Sequence, residues 1–138
     1  ADEPTPGLHP DVAAETLAHL RELADEGRGV ILITHDIAAA LSIADRVAVF
    51  YAGTTVEIAA VQDFSDGNLR HPYTQALWRS LPQNEFVPVP GNQPSPEQLP
   101  KGCLFSDRCD WVSDLCREER PALRQLSDGW VRCVHAEG

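Results

Sequence analysis

The sequence is poor in positive charge: 11 Lys and Arg stand against 21 Asp and Glu, a formal net charge of −10. The deficit is uneven, since residues 1–100 hold 14 acids and 5 bases (−9) and residues 101–138 hold 7 and 6 (−1). An acidic body cannot replace the counterions of a phosphate backbone, so no nucleic-acid partner is expected. Also missing is any run near the roughly 18 continuous apolar residues of a membrane helix, or a basic-then-apolar signal segment. The chain is therefore expected to be soluble and cytosolic. No G-x-x-x-x-G-K-[ST] occurs, so no glycine-rich loop of backbone N–H groups is there to hold a triphosphate. No cysteine precedes Cys103, and the four present, Cys103, Cys109, Cys116 and Cys133, fall in the last 36 residues. In a reducing compartment such clustering points to metal more than to disulfides. A length of 138 residues allows one ordinary domain or a small domain with an appended module, and the cysteines favour the second.

Several elements can be read from caps and periodicity. His9-Pro10-Asp11 opens a helix that should run to about Glu26, because Pro10 suits the first helical position. Ala13, Leu17, Leu20 and Ala24 form its apolar stripe, and Gly27 or Gly29 ends it. Val30-Ile31-Leu32-Ile33 reads as a strand buried on both faces of a parallel sheet. A helix over about 37–44 then leads to strands at 47–50 and 55–58, joined by an Ala52-Gly53 turn. Strand, helix, strand implies a right-handed α/β crossover with a hairpin at its edge. Residues 71–81, HPYTQALWRSL, form an amphipathic helix with Tyr73, Ala76, Leu77 and Leu81 on one face. Six prolines between Pro82 and Pro100 then make an extended connector. Trp78, Trp111 and Trp130 are expected to fill small cores.

Two groups of residues carry chemistry. An Asp-Glu pair at the C-terminal end of a buried strand serves nucleotide hydrolysis, the Asp holding Mg²⁺ through water and the Glu polarising the attacking water. Asp2-Glu3 and Thr34-His35-Asp36 suit such places, although an isolated Asp-Glu is ordinary solvated surface. The cysteines are spaced C-x5-C-x6-C-x16-C, which matches neither the close pairs of zinc fingers nor the common ferredoxin runs. The spacing indicates four soft ligands and leaves the metal open. Lys101, Arg108, Arg117, Arg120, Arg124 and Arg132 lie in or beside this segment, and their charge would favour a thiolate site of net −2. His135 is an alternative ligand, but four thiolates already complete a set.

ADEPT, a helix, LITHD, then DRVAVFYAG and VE together resemble the second half of the ATP-binding subunit of an ABC transporter. LRHPYTQAL, the proline-rich connector, GCLFSDRC and the later cysteines are similar to the C-terminal extension of the oligopeptide, dipeptide and nickel importer ATPases. The resemblance covers nearly the whole chain. It implies an α/β fold: part of an ABC-ATPase (P-loop NTPase) sheet with flanking helices, then a proline-rich connector and a small metal-bound cysteine module. The divisions expected are 1–62 for the nucleotide-binding part, 63–81 for the HPY-containing helical segment, 82–102 for the linker and 103–138 for the cysteine module. By resemblance Asp2 is the Mg²⁺-associated acid, Glu3 the general base and His35 the histidine near the γ-phosphate. The resemblance also tips the four cysteines toward a [4Fe–4S] cluster, with zinc the alternative.

On this reading the chain begins at the end of the strand bearing the acidic pair. Mg-ATP then belongs to the intact subunit only, and the fragment alone is expected to be inactive. Its partners would be a second ABC ATPase subunit and membrane permease subunits, at the cytoplasmic face of the membrane. The implied function is coupling ATP hydrolysis to peptide or nickel uptake. The alternatives are a metal-stabilised regulatory or binding module, or a catalytically silent partner ATPase subunit. One departure stands out: the family usually has Asp where this chain has His9, which is read either as a changed half-site or as a helix residue.

Overall fold

The structure is a computed structural model, described over residues 1–137, and it separates into two compact units, residues 1–47 and 48–138. No helix among the described residues is long and apolar enough to cross a membrane.

In the first unit, α1 spans Pro10–Asp25 and α2 spans Ile37–Ile43. His9 is the N-cap of α1: its Nδ1 accepts the Asp11 N–H at 3.3 Å, and Pro10 follows in the first turn. Gly27, at φ +90°, takes the left-handed conformation just past the helix end. Asp36 caps α2 by accepting the Ala39 N–H at 3.0 Å. Arg21 reaches across from α1 to the Ile43 carbonyl and the Asp45 carboxylate, both at 3.0 Å, which fixes the two helices together.

The apolar run at 30–33 is not the doubly buried strand expected. Ile31 is 78% exposed and Ile33 57%. The run pairs on one side with residues 1–3, through an isolated parallel bridge between Asp2 and Ile33. The Ile33 N–H donates to Ala1 and the Glu3 N–H to the Ile33 carbonyl, each at 2.8 Å. Hydrophobicity of this kind describes a strand with neighbours on both sides, and here it has a short one on one side.

In the second unit the sheet is antiparallel where pairings are resolved, not a parallel crossover. It contains β1 (Arg46–Tyr51, which starts just before the unit), β2 (Thr54–Ala60), β3 (Arg124–Leu126) and β4 (Gly129–Val131) in the order β1-β2-β4-β3. Ala52 and Gly53, at φ +47° and +77°, make the tight turn between β1 and β2. Glu57 pairs with Val131 and Ile58 with Trp130, so the chain beyond the connector returns to the sheet beside β2. Gly129 permits that approach, because a Cβ there would meet the Ile58 carbonyl oxygen at 2.7 Å. Four helical segments flank the strands: α3 (Val61–Asp66), α4 (Pro72–Ser80), a single 3₁₀ turn at Ser106–Arg108 and α5 (Asp114–Glu118).

The buried interior includes Tyr51, Val56, Ala59, Phe64, Leu69, Leu104, Phe105 and Val131. Tyr51, Tyr73 and Phe105 pack ring against ring at 4.6 to 5.4 Å. Trp78 meets Phe64 edge-on at 5.7 Å, as a core residue would. Trp111 and Trp130 do not fill a core: they are 45% and 39% exposed. For Trp130 the cause is strand alternation, which turns Gly129 and Val131 inward and the residue between them outward.

Candidate functional site

The first group of site residues lies in unit one. The 30–33 run delivers Thr34-His35-Asp36 beside the N-terminal acids. Glu3 holds a left-handed backbone (φ +44°), and its Oε1 accepts twice from His35, from the backbone N–H at 3.1 Å and from Nδ1 at 2.9 Å. Donation from Nδ1 to a carboxylate requires a proton there. The hydrogen bond to Glu3, and then its charge, raise the His35 pKa above its ordinary value near 6.5. The side chains are 37% and 79% exposed, open to a solvent-borne ligand. Asp2 joins through its backbone bridge to Ile33, and Asp36 is occupied as the cap of α2. His9, which stands where the resembled family has an acid, serves as a helix cap.

The second group lies in unit two, where all four cysteines line one cavity together with His71, Phe105 and Pro121. None is in a disulfide; Cys116 and Cys133 are buried, Cys103 and Cys109 half-buried. Several local features bring them there. Gly102 lets the chain pass over the end of α5, since a Cβ would sit 2.2 Å from the Cys116 carbonyl oxygen. The Cys103 N–H then donates to that same oxygen at 2.7 Å. The 3₁₀ turn at 106–108 carries the chain to Cys109, and β4 leads to Cys133.

Burial is the main influence on these thiols. It pushes Cys109 up to about 11 and raises Cys103 and Cys133, and the neighbouring sulfurs' charges add to the effect. Backbone N–H groups oppose it: Trp111 donates to Cys109 Sγ at 3.4 Å, Phe105 and Ser106 act on Cys103, and His135 and Ala136 act on Cys133. N–H groups aimed at sulfur, in a cavity that otherwise penalises thiolate, suit cysteines whose charge is meant to be balanced by a bound cation. Among the described residues, however, no group of three or more His, Cys, Asp or Glu is close enough to hold a metal ion. The four thiols line one partly open cavity whose free space is only about 10 Å³, room for about one water.

The arginines of this segment mostly serve the backbone. Arg108 donates to the Pro90 carbonyl at 2.7 Å and the Val89 carbonyl at 3.2 Å, and Arg120 to Pro100 at 2.7 Å. Arg132 donates to Thr55 and Pro121, both at 2.9 Å. A segment with so little regular structure leaves carbonyls that need partners. Arg124, which donates to the Cys133 carbonyl at 3.2 Å, also acts by charge on that thiol.

The HPY stretch borders the same cavity. His71 is 1% exposed and caps α4, its Nδ1 accepting the Tyr73 N–H at 3.0 Å; burial lowers its pKa to about 4, so the ring is neutral. Glu57, fully buried on β2, accepts the N–H groups of Arg70 and His71 at 2.8 and 2.9 Å. Arg70 in turn reaches Asp63 at 3.3 Å and Asp128 at 3.2 Å. Sequence reading did not find this clamp, nor the role of Gly102, although a glycine directly before the first cysteine was a visible signal.

Residues 56–116 match the family described as oligopeptide/dipeptide transporter, C-terminal region. The chain is 40% identical over 135 residues to the dipeptide transport ATP-binding protein DppD of Escherichia coli, covering 94% of this chain and 41% of that protein. It is 37% identical over 140 residues to the oligopeptide transport ATP-binding protein AppD of Bacillus subtilis, covering 96% and 42%. To the oligopeptide transport ATP-binding protein OppD of Mycobacterium tuberculosis it is 39% identical over 144 residues, covering 99% and 23%. The chain thus spans about two-fifths or less of the length of these relatives. Its homologues are ATP-binding subunits of peptide and dipeptide ABC transporters, and it matches their C-terminal region.

Proposed function

We propose that this chain is the C-terminal part of the ATP-hydrolysing subunit of an ABC importer, coupling hydrolysis to peptide uptake in the whole protein. The observation that carries the reading is the Glu3–His35 pair, a carboxylate hydrogen-bonded to a histidine at the end of an apolar run. In the assigned roles Asp2 associates with Mg²⁺, Glu3 takes a proton from the attacking water and His35 contacts the terminal phosphate. Nucleotide would enter a site completed by a phosphate loop that is not among these residues. A peptide is favoured over nickel because the relatives' names read dipeptide and oligopeptide. The partners on this reading are a second ATPase subunit and membrane permeases, with the subunit peripheral on the cytoplasmic face. His9 as the cap of α1 gives its departure a local structural reason, which weakens the silent-subunit alternative.

The same reading assigns Cys103, Cys109, Cys116 and Cys133 as ligands of a [4Fe–4S] cluster, in preference to zinc. Four soft thiols lining one cavity support a metal group, and the resemblance tips the choice toward the cluster. Such a group, when bound, supplies cross-linking of a segment with little core of its own and a one-electron redox centre.

The test of the nucleotide role uses the full-length subunit assembled with its permeases. Glu3→Gln is expected to keep ATP binding while hydrolysis nearly stops, because an amide keeps the shape and cannot accept the proton. Turnover near the original rate would remove Glu3 from the mechanism. For the cysteines, protein prepared without oxygen is expected to be brown, with about four irons and four acid-labile sulfides per chain. Colourless protein with about one zinc would mean that the thiols gather round a single ion instead.

A further inference from the structure

Ser113 occupies the N-cap position of α5, yet its hydroxyl caps nothing. A serine in that place ordinarily accepts an N–H from the first turn. Here Oγ is turned the other way, 3.4 Å from the Sγ of Cys116 and 2.9 Å from Nε2 of His135. Cys116 is buried and His135 exposed, so the three groups make a hydrogen-bonded path from solvent to a sulfur of the cavity.

The direction of each bond follows from the chemistry. A hydroxyl has one proton and two lone pairs. A cysteine sulfur acting as a metal ligand is a thiolate and can only accept, so Ser113 donates to Cys116. Its lone pair then faces His135, which must carry its proton on Nε2 to donate. His135 therefore points at the serine as an orienting group and not as a fifth ligand. The donors acting on Cys103, Cys109 and Cys133 are backbone N–H groups, which no side-chain replacement removes. At Cys116 the donor is a side chain.

We propose that Ser113, oriented by His135, is a tuning residue for the group held by the four cysteines: its hydrogen bond withdraws charge from the Cys116 sulfur and raises the reduction potential. This rests on the cluster assignment made above. A hydrogen bond to a ligand sulfur stabilises the more negative, reduced state, because the added electron increases charge on the sulfurs. The hydroxyl therefore sets how easily the centre is reduced, while the other three sulfurs are held by the fold itself.

The test compares the protein with Ser113→Ala, Ser113→Thr and His135→Ala, each prepared anaerobically. Iron and sulfide are counted first, and the reduction potential is then titrated with the electron paramagnetic resonance of the reduced form as the signal. Ser113→Ala is expected to keep its full iron, titrate at a lower potential and show an altered resonance. Ser113→Thr should restore the parent potential, and His135→Ala should shift it partway in the same direction. Full iron with an unchanged potential in Ser113→Ala overturns the proposal while leaving the cluster assignment standing. Parent protein holding zinc or no metal overturns both. If alanine loosens the entry to α5, the near-isosteric pair Ser113→Thr and Ser113→Val isolates the hydroxyl, and equal potentials in that pair overturn the proposal. Loss of iron from both Ala and Val variants, with Thr retaining it, would show the hydroxyl holding the group and not tuning it, which overturns the proposal as well.

Discussion

Oε1 of Glu3 lies 2.9 Å from Nδ1 of His35 and accepts the backbone N–H of the same residue at 3.1 Å. One carboxylate oxygen thus fixes both the backbone and the ring of a histidine 32 positions along the chain. The bond also occupies one of the two oxygens of the carboxylate to which the proposed role assigns a water proton. The remaining oxygen is the one left to face a water in the loaded site.

A pH dependence follows. The His35 pKa is raised by its hydrogen bond to Glu3, so the pairing is fully present below the ordinary value near 6.5 and is lost as pH rises through the raised folded value. Titration of the His35 ring followed by NMR should give a midpoint above 6.5, and Glu3→Gln should bring it down. A midpoint that does not move in the Gln variant would mean that Glu3 and His35 are not paired in solution.

Glu57 provides a second prediction, this time about stability. Its buried carboxylate satisfies two backbone N–H groups at once, those of Arg70 and His71, and burial raises its pKa while these bonds oppose the rise. Glu57→Ala strands both donors in the interior and deprives Arg70 of one of its acidic neighbours. The expected loss is about 2–4 kcal/mol of unfolding free energy, the cost of leaving buried groups unpaired. Glu57→Gln keeps one acceptor oxygen and should lose roughly half as much. Equal urea midpoints for the three proteins would show that the clamp contributes nothing.

Local signals account for what was legible in the sequence. His9-Pro10 and His71-Pro72 mark helix starts, and the helices begin there. Ala52-Gly53 is a turn, and the hairpin forms around it. The run at 30–33 misled because its apolar content reads the same whether or not strands flank it. β3 and β4 are three residues each, too short for alternation to announce them, and β4 pairs with β2 across more than 70 positions. The cysteines clustered in the sequence line one cavity. What helps to place them, the missing Cβ of Gly102, depends on closeness in space that no spacing encodes.

Gly102 gives the third prediction. A Cβ at this position would lie 2.2 Å from the Cys116 carbonyl oxygen and 2.8 Å from that of Arg117, and both are backbone atoms that cannot swing aside. Gly102→Ala must therefore part the Cys103 segment from α5 and stretch the 2.7 Å bond between Cys103 and Cys116. Overpacking of this kind costs about 1–3 kcal/mol. The variant should unfold at lower denaturant and its Cys103 thiol should react faster with a disulfide reagent. Unchanged stability and thiol reactivity would show that the two segments are not in contact as described.

Arg108 carries the last prediction, because it joins three parts of the second unit with one side chain. Its Nε and terminal nitrogens donate to the carbonyls of Pro90 and Val89 and to the Tyr51 hydroxyl, at 2.7, 3.2 and 3.1 Å. The guanidinium also lies over the rings of Tyr51 and Phe105, 5.7 and 5.8 Å from their centres. The connector has prolines in place of a hydrogen-bonding ladder, so this fork is a principal tie between residues 89–90 and the core. Lysine has one charged centre and no planar fork, and it cannot serve two carbonyls and a hydroxyl while stacking on two rings. Arg108→Lys should therefore release residues 87–91 while β1, β2 and α4 stay folded. Amide exchange is the direct readout: Val87, whose N–H donates to the Arg79 carbonyl at 3.3 Å, should exchange faster in the variant, and a protease should cut the connector sooner, with little change in overall melting. Protection of the connector equal to the parent's would mean that the prolines alone hold its path.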